Sequence, residues 1–196
     1  MSKKSDNISK TFVIWIFANL LGFTVLAASL FVMPFLMSIP GRAASTLIIT
    51  IPISLAQWIA LRRSIPISIL WILTMPVGLL LAFLIYRVIP EGLWQIVDDE
   101  STTVLVVGYL VMGFAIGLPQ WFILRRQFSN SSIWLLGSSV GIGAGFGLVL
   151  ATGLINQSEL IAYIVVVLVY AIATGLILAW LLTNHSQSQD NLVNAA

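Results

Sequence analysis

The chain has 196 residues, of which 59% are hydrophobic and only 8% charged, and it carries a net charge of +2 with a mean hydropathy of +1.04. Soluble domains carry roughly a quarter charged residues, so this composition excludes an ordinary water-facing surface and describes an integral membrane protein. The lack of cysteine excludes disulfides, thiolate catalysis and iron–sulfur clusters, and the small basic excess rests on a few loop residues and points to no nucleic-acid partner.

Uncharged stretches predict six spans, at about 11–37, 43–61, 65–87, 102–124, 132–154 and 160–183, in a single transmembrane domain covering 1–196. The stretches are continuously apolar, not alternating, so they satisfy their backbone as helices and not as a barrel. The expected fold class is all-α, a polytopic transmembrane helical bundle. The first stretch, "TFVIWIFANLLGFTVLAASLFVMPFLM", runs too far past the weak cleavage site "LAAS" for a signal peptide and reads as a retained helix.

The second span closes on "QWIALRR", Gln57 to Arg63, and the fourth on "QWFILRR", Gln120 to Arg126. The match continues at the same offset through Trp71 and Trp134, Val77 and Val140, Gly78 and Gly141, and Phe83 and Phe146. Spans two and three are therefore expected to form a hairpin, 54–83, duplicated in 117–146 as spans four and five. Trp15 and Gly22 in span one repeat the spacing of Trp71 to Gly78. Trp180 in span six sits near the inner end much as Trp58 and Trp121 do. On that match spans six and one form a third hairpin, split by the chain ends, around a pseudo-threefold axis along the membrane normal.

With the N-terminus inside, the cytoplasmic face holds Lys3, Lys4, Lys10, Arg62, Arg63, Arg125 and Arg126, against Arg42 and Arg87 outside. Both termini are thus expected to be cytoplasmic. The pairs Arg62/Arg63 and Arg125/Arg126 lock this topology and can meet anionic lipid headgroups. Six of the tryptophans fall toward the same interface, either as an aromatic belt or as the walls of an inner-leaflet pocket for a flat apolar molecule. Gln57, Trp58, Trp71, Gln120, Trp121 and Trp134 are the candidate ligand-binding residues of such a pocket, while each glutamine equally suits a bond to a neighbouring helix.

Prolines 52, 76 and 119 are expected to bend spans two, three and four. Between the third and fourth spans, Val88 to Thr102 reads as a short helix on the outer surface ended by the solvated acidic triplet Asp98, Asp99 and Glu100. Span five, "GSSVGIGAGFGLVLATG", sets Gly137, Gly141 and Gly145 on one face, and span four has Gly113 and Gly117. These small residues admit a close helix, with packing between spans four and five or a homo-oligomer contact as the expected use.

The spans hold no ionisable residue in their interiors, and the lone histidine, His185, belongs to the polar tail. Ion-coupled transport, intramembrane proteolysis, a metal site and bis-histidine haem are accordingly disfavoured, and no enzyme is expected. The pattern "GLPQWFILRR" with a following tryptophan resembles small polytopic membrane proteins of cyanobacteria and related bacteria that carry a repeated Gln-Trp-x-x-Leu-Arg-Arg motif. The resemblance covers about 54–147 and implies a bacterial cytoplasmic or thylakoid membrane but no activity. Two functions follow as expectations: a non-catalytic module binding a lipid or apolar cofactor, or serving as an accessory subunit of a membrane complex; or a carrier or pore for a small neutral solute.

Overall fold

The computed structural model describes residues 8–23, 42–88 and 102–195, with side chains described for all but 42–49, 102–104 and 186–195. Outside the described residues lie the expected surface helix after Val88, its acidic triplet, Trp94 and the second half of the first expected span. All regular structure among the described residues is helical. The helices are α1 (Ile8–Phe23), α2 (Arg42–Leu61), α3 (Thr74–Val88), α4 (Thr102–Leu124), α5 (Ile133–Thr152) and α6 (Glu159–Ala195). A 3-10 turn at Ile69–Leu73 leads into α3, and a single helical turn at Leu154–Gln157 leads into α6.

Among the described residues four helices are long and apolar enough to cross a membrane: Ile69–Val88, Leu105–Leu124, Ile133–Thr152 and Glu159–His185. The distribution of polarity is the reverse of a soluble protein's. Phe17, Leu21, Leu136 and Phe122 are more than half exposed, while Asn19, Ser54, Gln57, Gln120, Ser138 and Thr174 are buried to 2% exposure or less. Among the described residues no charged side chain is buried. An apolar surface over a polar interior is stable only where the solvent is itself apolar, since lipid cannot hydrogen-bond the groups that water would.

Each helix packs on its neighbour in sequence, and α6 returns to α1 through Trp15 and Thr174. The turns after α2 and α4 lie at one end of the molecule: Gln127 Nε2 donates to the Pro66 carbonyl at 3.2 Å, and Thr11 and Ser64 share a hydroxyl bond at 2.6 Å. We call this the arginine end.

Local chemistry explains the breaks. Pro76 falls in the first turn of α3, where an amide N–H would have no helical partner, so the expected mid-helix bend is replaced by the 3-10 turn before it. Thr74 seals the junction by donating its hydroxyl to the Trp71 carbonyl at 2.7 Å. Pro119 does lie inside α4 and frees the Ala115 carbonyl. Gly78 of α3 covers that carbonyl, for a Cβ built on Gly78 would stand 3.1 Å from it. Gly153 ends α5 at φ 65°, a left-handed position natural to glycine, and donates its N–H to the Val149 and Leu150 carbonyls.

Two glycine faces divide α5. A Cβ on Gly137, Gly141 or Gly145 would strike Ile177, Tyr170 or Val166, all on α6. The stripe expected to meet span four or a second copy of the chain therefore packs on α6 instead. Helix α4 meets the adjacent face, where Gly143 receives Leu110, and Gly113 and Gly117 of α4 receive Ser138 and Ser139. Glycines spaced by four drift slowly around a helix of 3.6 residues per turn, so two stripes on α5 serve two neighbours.

Helix α6 continues past the apolar segment to Ala195. His185 is exposed beside Phe128, ring edge to ring face at 5.5 Å.

Candidate functional site

Three indoles meet on the bundle axis near the arginine end. Trp15, Trp71 and Trp134 are each 0% exposed. Their ring centroids stand 6.4 Å (Trp15 to Trp71), 5.7 Å (Trp15 to Trp134) and 6.1 Å (Trp71 to Trp134) apart, all edge to face with interplanar angles of 73–76°. Edge-to-face pairs add about 0.5–1.5 kcal/mol each beyond their buried area, so the triad supplies a few kcal/mol of contact that lipid-facing residues cannot. Leu61, Leu124, Leu178, Ile65 and Phe128 close the arginine side of the same cluster.

Every indole N–H in the triad is used. Trp71 donates to Gln57 Oε1 at 3.2 Å, Trp134 to Gln120 Oε1 at 2.9 Å, and Trp15 to Thr174 Oγ1 at 3.0 Å. In each case the acceptor belongs to the preceding helix around the ring. One helical turn after each acceptor comes a leucine exposed by 1% or less: Leu61, Leu124 and Leu178.

One step along the axis, away from the arginine end, backbones approach each other in matching fashion. A Cβ on Gly22 would lie 2.6 Å from Ile53 Cα, on Gly78 2.5 Å from Ile116 Cα, and on Gly141 3.0 Å from Tyr170 Cα.

These contacts give Thr174 of α6 the part that Gln57 and Gln120 play on α2 and α4, that of acceptor to a buried indole, while Trp180 lies further along, 41% exposed. They also divide the inner tryptophans. Trp15, Trp71 and Trp134 are core residues and not members of an interfacial belt, whereas Trp58 and Trp121 are half-buried and pack against the triad's cluster from outside. The Arg62 guanidinium stands 4.6 Å from the Trp58 ring, and Arg125 stands 5.3 Å from the rings of both Trp121 and Phe122. Arg62, Arg63, Arg125 and Arg126 are exposed.

Asn19, Tyr170 and Ser138 complete the axial site and were not legible as such. Gln57 Nε2 donates to Asn19 Oδ1 at 2.8 Å, and Asn19 Nδ2 donates to the Trp15 carbonyl at 2.8 Å. Tyr170 donates its hydroxyl to Gln120 Oε1 at 3.3 Å, and Thr174 donates to the Tyr170 carbonyl at 2.7 Å. The only available signal was that these polar residues interrupt otherwise apolar spans.

A second feature lies on the outside of the bundle. A shallow groove of about 330 Å³ separates the 3-10 turn and α3 from α4, lined by Leu70, Leu73, Val77, Leu118, Pro119 and Phe122 among others. Leu70, Leu73, Val77 and Phe122 expose their apolar faces there by 42–55%. Phe122 joins the groove to the Arg125 guanidinium. Among the described residues no group of three or more His, Asp or Glu could hold a metal ion.

Compared with protein-family models, curated proteins and solved structures, the chain matches none.

Proposed function

We propose that the chain is a non-catalytic module of a bacterial cytoplasmic or thylakoid membrane, crossing it six times with both termini cytoplasmic, that holds one anionic phospholipid on its α3–α4 face. The observation that carries this reading is the groove: its wall is apolar along its length, its volume falls in the range of small-molecule sites, and it runs up to an exposed cation. An acyl chain lies between Leu73, Val77 and Phe122, while the phosphate meets Arg125 and Arg126.

Three hairpin repeats around a pseudo-threefold axis underlie the module. Supporting this are the matched bonds of Trp71 with Gln57, Trp134 with Gln120 and Trp15 with Thr174, and the matched approaches of Gly78, Gly141 and Gly22 to the paired helix. In the same reading the Gln57 and Gln120 amides hold helices together and do not line an open pocket. Three indoles in mutual edge contact, each 0% exposed, close the axis, which favours the binding module over a carrier or pore for a neutral solute.

The test is native mass spectrometry of the protein released from nanodiscs of mixed phosphatidylglycerol and phosphatidylcholine. One retained phosphatidylglycerol is expected, lost in Leu73→Trp, which fills the groove, and exchanged for either lipid without preference in Arg125→Gln/Arg126→Gln. Retention by Leu73→Trp equal to wild type sinks the proposal. Passage of glycerol or urea through liposomes bearing the protein restores the carrier reading.

A further inference from the structure

The polar groups on the axis do not all find partners in the protein. Gln120 Nε2 and the Ser138 and Ser54 hydroxyls are buried without a hydrogen bond, and all three residues are 0% exposed. Orphaned donors in an interior surrounded by lipid cost several kcal/mol each, so they ordinarily mark an ordered water or other ligand.

The comparison between repeats shows why the Gln120 amide is short of a partner. Gln57 donates to Asn19, which lies one turn after Trp15 on α1. The corresponding residue one turn after Trp71 on α3 is Met75, whose thioether is at best a weak acceptor. Tyr170 occupies the gap left on the other side: its hydroxyl reaches Gln120 Oε1 and borders Ser138 and Gln57. Ser138 rises from α5 over Gly117, with its Oγ 2.9 Å from where a Cβ on that glycine would stand. Gly117 is one turn before Gln120 on α4. The unpartnered amide and the unpartnered Ser138 hydroxyl thus flank one phenol.

The chemistry of the occupant follows from the amide's orientation. Two donors, the Trp134 indole N–H and the Tyr170 O–H, converge on one atom of Gln120. That atom must be the carbonyl oxygen, and the free end must be the NH₂ group. A cation cannot bind to N–H donors, whereas a neutral acceptor can. An occupant that also donates satisfies a hydroxyl oxygen. We infer that the Gln120, Ser138 and Tyr170 side chains form an internal binding site for a water molecule, held on the bundle axis behind the tryptophan triad. The water accepts from Gln120 Nε2 and from the Ser138 hydroxyl, and it donates a proton to the phenol oxygen.

X-ray radiolysis of the protein in nanodiscs, with side-chain oxidation read by mass spectrometry, tests the inference, because hydroxyl radicals formed from a bound water oxidise the ring beside it. Tyr170 is 5% exposed and would otherwise be protected. Oxidation of Tyr170 in the wild type and its loss in Ser138→Ala is the expected result. Protection of Tyr170 in the wild type overturns the site, and undiminished oxidation in Ser138→Ala removes Ser138 from it. Stability supplies an independent sign. Deleting a hydroxyl that holds a water leaves that water short of a bond and lowers Tm by about 2–4 °C for each kcal/mol lost, whereas deleting an unhydrated orphan raises Tm. A Tm increase in Ser138→Ala therefore also overturns the proposal. Neither readout depends on a lipid in the α3–α4 groove.

Discussion

Replacing Trp134 by Phe perturbs the centre of the bundle with the least change of shape. The indole is 0% exposed, so the smaller ring cannot be compensated by lipid. A residual cavity of roughly 40 Å³, at about 24 cal/mol per Å³, costs about 1 kcal/mol. The bond to Gln120 at 2.9 Å also disappears, and interhelical bonds of this kind in membranes average about 0.6 kcal/mol. Gln120 Oε1 keeps the Tyr170 hydroxyl, so it is not left without a donor, and no further desolvation cost is added. The sum is a destabilisation of about 1.5–2 kcal/mol. The assay is reversible unfolding in mixed micelles of dodecyl sulfate, with Trp180→Phe as the control. Trp180 is 41% exposed, and its change is expected to stay within about 0.5 kcal/mol. A double-mutant cycle with Gln120→Leu isolates the hydrogen bond and is expected to show coupling of about 0.5–1 kcal/mol. Equal losses for Trp134→Phe and Trp180→Phe, or no coupling to Gln120, would refute the assignment of Trp134 to the axial core.

The other predictions concern close approach, symmetry and topology. Gly78→Ala puts a Cβ 2.5 Å from the Ile116 backbone, so α3 and α4 must separate and thermal stability should fall by about 1–3 kcal/mol; Gly108→Ala meets nothing within 4 Å and should leave it unchanged or slightly higher. Thr174→Val removes the acceptor of the Trp15 indole and should cost about 1–3 kcal/mol for the buried donor left unpaired, while Thr183→Val, nearer the arginine end, should cost less than Thr174→Val in the same denaturation assay. The natural chain has no cysteine, so single cysteines at Ser64 and Asn130 can be labelled without background. Both should react with a membrane-impermeant maleimide only from the cytoplasmic side, and reaction from opposite sides would disprove the shared arginine end.

Much of the candidate site was legible as residue identity and little of it as direction. The heptapeptide copies marked Gln57, Trp58, Gln120 and Trp121, and spacing to glycine tied Trp15 to Trp71 and Trp134. Which of these indoles face inward was not legible. A helix that is apolar all round carries no amphipathic signal, because its lipid face and its core face both favour hydrophobic side chains. Trp58 and Trp71 therefore look alike in the sequence although one edges the bundle and the other fills its centre. Thr174 was missed for a related reason. Thr174 accepts an indole N–H as the two glutamines do and is followed one turn later by a buried leucine, but it is not a glutamine, so the visible Trp180 drew the match instead.

Composition and the placement of charge by themselves determined that this is a helical protein of an apolar solvent, because charged residues are costly in lipid and confine themselves to the ends of helices. Local residue chemistry likewise determined where the helices after Gln57 and Gln120 stop, at their paired arginines. Only the tertiary structure decided that three indoles converge on one axis, that the glycine stripe of α5 receives α6, and that the amide of Gln120 is left without a protein partner where that of Gln57 meets Asn19. Those outcomes depend on the rotation of each helix about its own axis. In lipid that rotation is set by the fit of small side chains and the pairing of buried polar groups, which are properties of surfaces brought together and not of any one segment.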